Sequence, residues 1–221
     1  TLLVMDKTVR IYLITIVVVI ALFAISSYII LGNIESQESF REGLPADIDQ
    51  CSRDALVGAL LDIGPNGGQT SIAADAYRVG QVQANYVSMQ SGLLEPSPSK
   101  VRDAITVMYT DALNSCLESI DGGVIDAKSI TVDFTSKTTA NAELYVRTPW
   151  QAWDYSSSVT INTNPISPLA TITDLVGRAK AGDDLEDATF QRDTENKVYA
   201  FVVDGAVVDG RQSTWVVAVK V

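Results

Sequence analysis

Ile11 to Leu31 reads IYLITIVVVIALFAISSYIIL, 21 residues without one Asp, Glu, Lys or Arg. As an α-helix at ~1.5 Å per residue this stretch extends about 31 Å, the thickness of a bilayer's hydrocarbon layer. It predicts a long apolar helix, either transmembrane or packed among copies of itself. Thr15, Ser26 and Ser27 can return their hydroxyls to the carbonyl one turn back, and Tyr12 and Tyr28 lie near the ends, where amphipathic rings prefer an interface. Lys7 and Arg10 precede the run, whereas Glu35, Glu38, Arg41 and Glu42 follow it. The positive-inside rule then leaves the N-terminus in the cytoplasm and sends the remainder outward, to the cell surface or beyond. A cleavable signal peptide is the alternative, but its apolar region spans about 7 to 15 residues before an A-x-A-like site. This run is longer and ends in LGNIES.

The rest of the composition narrows the chemistry. The chain has 221 residues, 47% of them hydrophobic and 19% charged, which suits a globular core rather than a disordered chain. Histidine is absent, so Ser-His-Asp and Cys-His nucleophilic systems, HExxH metallopeptidases and Cys/His zinc sites are excluded, and no enzyme activity is expected. A net charge of −11 repels a phosphate backbone, which argues against nucleic acid as a partner.

Working outward from the apolar run, Gly43 and Pro45 are expected to stop the first helix. Residues 1–43 then form the apolar helix and stalk, 44–121 a small helical subdomain, and 122–221 a β-rich subdomain. Asp47 or Asp49 can cap a second helix in which Ile48, Cys51, Ala55, Leu56, Ala59, Leu60 and Ile63 recur at three- and four-residue intervals, ended by GPNGG at 64–68. Residues 72–94 read as a mixed stretch. A further helix over about 98–120 carries Val101, Ile105, Met108, Ala112, Leu113, Cys116 and Ile120 on one face. From Gly122 the period changes to 2: SITVDFT, ANAELYVR and SSVTINT read as strands, LATITDLVGRAKA at 169–181 as a helix, and the last 25 residues as two strands around a Gly- and Asp-punctuated loop. The expected fold class is α+β: a long N-terminal apolar (transmembrane or filament-core) helix, a helical subdomain, and one C-terminal antiparallel sheet with a helix across it.

The two cysteines, Cys51 and Cys116, fall on the apolar faces of two of these helices, outside any membrane, where thiols oxidise; a disulfide is expected, with two buried free thiols as the alternative. GDDLED at 182–187 offers Asp183, Asp184, Glu186 and Asp187 to a hard cation, but its spacing is not that of an EF-hand and a solvated turn explains it as well. No metal or cofactor is therefore expected. The pairs Glu35 with Glu38 and Asp204 with Asp209 read as exposed charges rather than acid and base. Trp150 and Trp153, in PWQAWDY, fit a core rim or a subunit contact better than a sugar-stacking platform.

Taken together, the apolar start, DQCSRDALVGALLDIGPNGG, TDALNSCLESI, ITVDFTSKTTANAELYVRTP, KVYAFVVDG and STWVVAVKV resemble a family of archaeal envelope proteins with pilin-like N-termini. In type IV pilins the N-terminal helix is first held in the membrane and then packs with staggered copies in the centre of a filament. The resemblance implies that this chain is a structural subunit of an extracellular pilus-like filament, its partners being copies of itself and, before assembly, the membrane. The assembly helix would use Ile11, Ile14, Val17, Val18, Ile20, Leu22, Phe23, Ile25 and Ile29. Asp6 resembles the acidic residue many pilins keep in the first turns, but Lys7 and Arg10 stand beside it, a basic stretch that pilin processing usually removes, so these three would have to pair their charges. The alternative is a single-pass anchored envelope protein whose ectodomain binds a partner without polymerising.

Overall fold

A computed structural model describes residues 7–74, 76–79, 82–88, 97–183, 185, 191–193, 195 and 197–221. The chain divides into two compact units, Thr1–Ala46 and Asp47–Val221. One helix, α1 (Lys7–Asp62), contributes to both. It continues past Gly43 and Pro45, where the sequence reading places a stop. Proline costs a helix one N–H bond and crowds the carbonyl four residues back, so its effect is confined to one turn. The apolar stripe that resumes at Ile48 carries the helix onward, and the boundary between the units falls beside Pro45.

The expectation of a membrane-spanning helix is corrected. Among the described residues, no helix is long and apolar enough to cross a membrane. Side chains of the apolar run are described from Thr15 to Tyr28, 14 residues.

The second unit is α+β, but with two sheets instead of one. Its first sheet is an antiparallel meander of β3 (Val124–Phe134), β4 (Thr138–Arg147) and β5 (Ala152–Ile161), covered on the β3 side by α2 (Pro98–Glu118). Ser97 caps α2 by accepting the Lys100 N–H at 3.3 Å, and Pro98 occupies the first turn, where a missing N–H costs nothing. In β4 the residues Thr138, Ala140, Ala142, Leu144 and Val146 are buried, the period-2 pattern of a half-buried central strand.

The other sheet has the order β1 (Tyr77–Val79), β2 (Val82–Ser88), β8 (Arg211–Lys220), β7 (Val198–Val208), β6 (Gln191–Asp193), with α3 (Leu169–Ala181) packed on β7 and β8. β7 and β8 form the expected hairpin, turned at Asp209 and Gly210, both with positive φ (49° and 78°), the backbone of a tight two-residue turn. β2 lies parallel to β8, with Asn85 opposite Val217, so the sheet is mixed where an antiparallel one is expected. As the middle strand of five, β8 is buried on both faces from Trp215 to Val219, which is why WVVAV is a continuous apolar run without alternation.

Candidate assembly surface

The side chains of α1 from Thr15 to Tyr28 face solvent almost without exception. Ile16, Val17, Val18, Val19, Ile20, Leu22, Phe23, Ile25 and Tyr28 are each half exposed or more, with Phe23 at 75% and Ile20 at 62%. At 100° per residue these positions surround the helix, so the surface is an apolar cylinder and not a stripe. A patch of this size on a single chain marks a contact surface. Burying nine such side chains in full is worth about 1.5 to 3 kcal/mol each, and recovering the exposed half or more gives on the order of 10 kcal/mol for association. Of the residues expected to build the assembly helix, Val17, Val18, Ile20, Leu22, Phe23 and Ile25 lie on this cylinder. The side chains of Ile11, Ile14, Ile29, Lys7 and Arg10 lie outside the described ones, and Asp6 lies outside the described residues, as do Asp184, Glu186 and Asp187 of the acidic loop.

The second unit is stitched together through its part of α1. Cys51 and Cys116 form a disulfide joining α1 to α2, with a Cα–Cα distance of 5.6 Å. One residue along, the fully buried Ser52 hydroxyl meets the fully buried Tyr109 hydroxyl at 2.6 Å, a second polar link between the same helices. Burial raises the Tyr109 phenol above its ordinary pKa, partly offset by the hydrogen bond with Ser52. On α1, Asp49 accepts the Ser157 hydroxyl of β5 at 2.7 Å. Tyr155, two residues earlier on that strand, is raised by burial first, then by the Asp49 charge and a hydrogen bond to it. Arg53 pairs with Asp209 at 2.7 Å at the tip of the β7–β8 hairpin, an exposed pair worth little, about 0 to 1 kcal/mol.

Asn85 fastens the turn after α1 to the five-stranded sheet. Fully buried in β2, it donates to the carbonyls of Asn66 (2.7 Å) and Ser71 (2.9 Å) and accepts the Ala73 N–H (2.7 Å). GPNGG is the expected helix stop, and Gly64 has a further reason to be glycine: a Cβ there would sit 2.7 Å from the Thr214 carbonyl. Among the described residues no buried side-chain N or O atom lacks a hydrogen-bond partner.

A polar groove of about 490 Å³ lies between α2 and β3, lined by Thr110, Asn114, Glu118 and residues 125–130. Two of its charges are paired within the fold: Lys128, at a bulge in β3, pairs with Asp154 and lies over the Tyr145 ring at 4.9 Å, and Asp126 pairs with Arg147 at 3.4 Å. Among the described residues no group of three His, Cys, Asp or Glu is placed to hold a metal ion. Trp150, 56% exposed, stands on a turn in which the Thr148 hydroxyl accepts the N–H groups of Trp150 and Gln151, while Trp153 is half-buried on β5. Asp204 is in β7 and Asp209 is held by Arg53. No family model, curated protein or solved structure matches the chain.

Proposed function

We propose that this protein is the structural subunit of a homopolymer, a pilus-like filament whose core is built by the N-terminal part of α1 while the acidic α+β unit stays in solvent. The observation that carries the reading is the apolar cylinder from Ile16 to Tyr28, which a single chain leaves in water on every side. A helix apolar all round is stable only where something surrounds it, and copies of the same helix supply a matching surface through small and branched side chains that interdigitate. The second unit supports the reading in a different way. It is cross-linked between α1 and α2 by the Cys51–Cys116 disulfide, a property that suits a durable subunit.

The test uses the full chain purified in nonionic detergent and then diluted below the micelle concentration in 1 M NaCl. Wild-type protein sediments as fibres visible by electron microscopy. Val17→Lys together with Ile20→Lys puts two ammonium groups into the contact and abolishes sedimentation, while the circular dichroism and disulfide content of the second unit stay unchanged. A wild-type chain that remains monomeric after detergent removal, or doubly substituted chains that form the same fibres, would refute the proposal.

A further inference from the structure

The two units differ sharply in charge. Asp47–Val221 contains 23 Asp and Glu against 13 Lys and Arg, a net of −10, whereas Thr1–Ala46 contains 4 against 3, a net of −1. The attractive surface and the repulsive charge are therefore carried by separate parts of the chain. We infer that polymerisation through α1 is gated by ionic strength: the acidic units hold copies apart in dilute salt, and screening permits assembly. This rests on the reading of α1 as a polymer core.

The sizes involved set the scale of the repulsion. Packed helices lie about 8 to 10 Å apart. A compact unit of 175 residues has a radius of gyration of about 16 Å, hence a width of roughly 40 Å. Each acidic unit follows its helix directly in sequence, so helices that touch hold neighbouring units at separations comparable to their own width. The screening length is about 30 Å at 0.01 M salt, 10 Å at 0.1 M and 3 Å at 1 M. At the lowest of these, charge across most of one unit acts on the next. At the highest, only the residues at the contact do. Repulsion between like units scales with the square of their charge. Applied to −10 on units about 40 Å wide, this places the fall in critical concentration between 0.01 M and 1 M salt on the order of 100-fold.

A charge-reduced variant separates this effect from the general strengthening of apolar contacts by salt. Asp103→Asn, Asp111→Asn, Glu118→Gln, Asp121→Asn, Asp133→Asn and Asp174→Asn all replace exposed acids, and together they take the net charge of the second unit from −10 to −4. Repulsion then drops to about a sixth, so the variant's critical concentration should change less than about fivefold over the same salt range. Both full-length proteins are diluted from nonionic detergent into 0.01, 0.1 and 1 M NaCl and the pelleted fraction is measured against concentration, with urea unfolding to confirm that the variant is folded. Steep dependence in the wild type and shallow dependence in the variant is the expected result. Equal dependence in both, or none in either while fibres still form, overturns the gating and leaves the polymer reading standing. Failure of both proteins to sediment at any salt overturns the polymer reading and the gating with it.

Discussion

Opening the disulfide between Cys51 and Cys116 should cost this fold a large part of its stability. The bridge closes a loop with a sequence separation of 65, and the chain-entropy relation assigns such a loop about 4 kcal/mol at 25 °C. The loop contains the end of α1, the 64–68 turn, β1, β2 and nearly all of α2, so the unfolded chain gains freedom over all of these elements. The assay is urea unfolding of the full chain in detergent, followed by circular dichroism, for the oxidised protein, the reduced protein and the Cys51→Ala/Cys116→Ala variant. With a urea slope of about 2 kcal/mol per molar, a 4 kcal/mol loss moves the midpoint down by about 2 M. The variant should lose slightly more than the reduced wild type, because the buried Cys51 sulfur and the half-buried Cys116 sulfur are also deleted. Identical midpoints for oxidised and reduced protein would refute the reasoning, as would an alkylated mass that does not change with reductant.

Two further outcomes follow from the buried polar contacts. Asn85→Ala removes the partners of the Asn66 and Ser71 carbonyls and the Ala73 N–H and should destabilise by about 3 kcal/mol or more; Asn85→Asp, which keeps the shape but loses both donations, should be at least as damaging, and a midpoint within experimental error of wild type for either variant contradicts the assigned role. Tyr109 has its pKa raised by burial, so the folded state keeps a proton that the unfolded chain releases above its ordinary value of 10.0. Stability from this group is therefore complete below pH 10 and lost as the pH climbs toward the raised value, and Tyr109→Phe should cost about 1 to 2 kcal/mol at pH 7, by stranding the Ser52 hydroxyl, yet flatten the alkaline decline. An alkaline limb equally steep in the variant would assign that decline to Tyr77 and Tyr155, which are also raised.

Much of the second unit was legible because its signals are local. The start of α2 at Pro98, the helix at 169–181 and the Gly- and Asp-punctuated hairpin of β7 and β8 each follow from a few adjacent residues, and two cysteines on apolar helix faces pointed to their pairing. What stayed hidden depends on distant partners. β2 reads VQANYVS, with alanine and a fully buried asparagine where a strand core should be apolar, and only its position beside β8 and the loop it fastens explain Asn85. Splitting of the strands into two sheets is likewise invisible in any one strand's alternation. Pro45 misled through a general preference: proline favours helix ends, but a long helix loses only one turn's regularity when apolar contacts resume three residues later. Of the assembly surface, the apolar character was plain in the sequence, whereas its exposure all round the helix was a matter of structure. The meeting of Asp49 with Ser157 and Tyr155 gave no sequence signal, since Asp49 lies more than 100 positions from both and reads in the sequence only as a helix cap.

The most direct test of the helix-core reading asks whether Phe23 leaves water when fibres form. Both native cysteines are tied up in the disulfide, so Phe23→Cys introduces the single reactive thiol of the chain. Its rate of modification by a water-soluble maleimide is measured in detergent-free dilute monomer and in pelleted fibres of the same protein, with Val107→Cys, an exposed position on α2, as the reference for reagent access. The expected result is a thiol at 23 that reacts freely in the monomer and at least 100-fold more slowly in fibres, while the reference thiol changes by less than threefold. A thiol at 23 that reacts equally fast in both states would contradict the assignment of α1 to the polymer core.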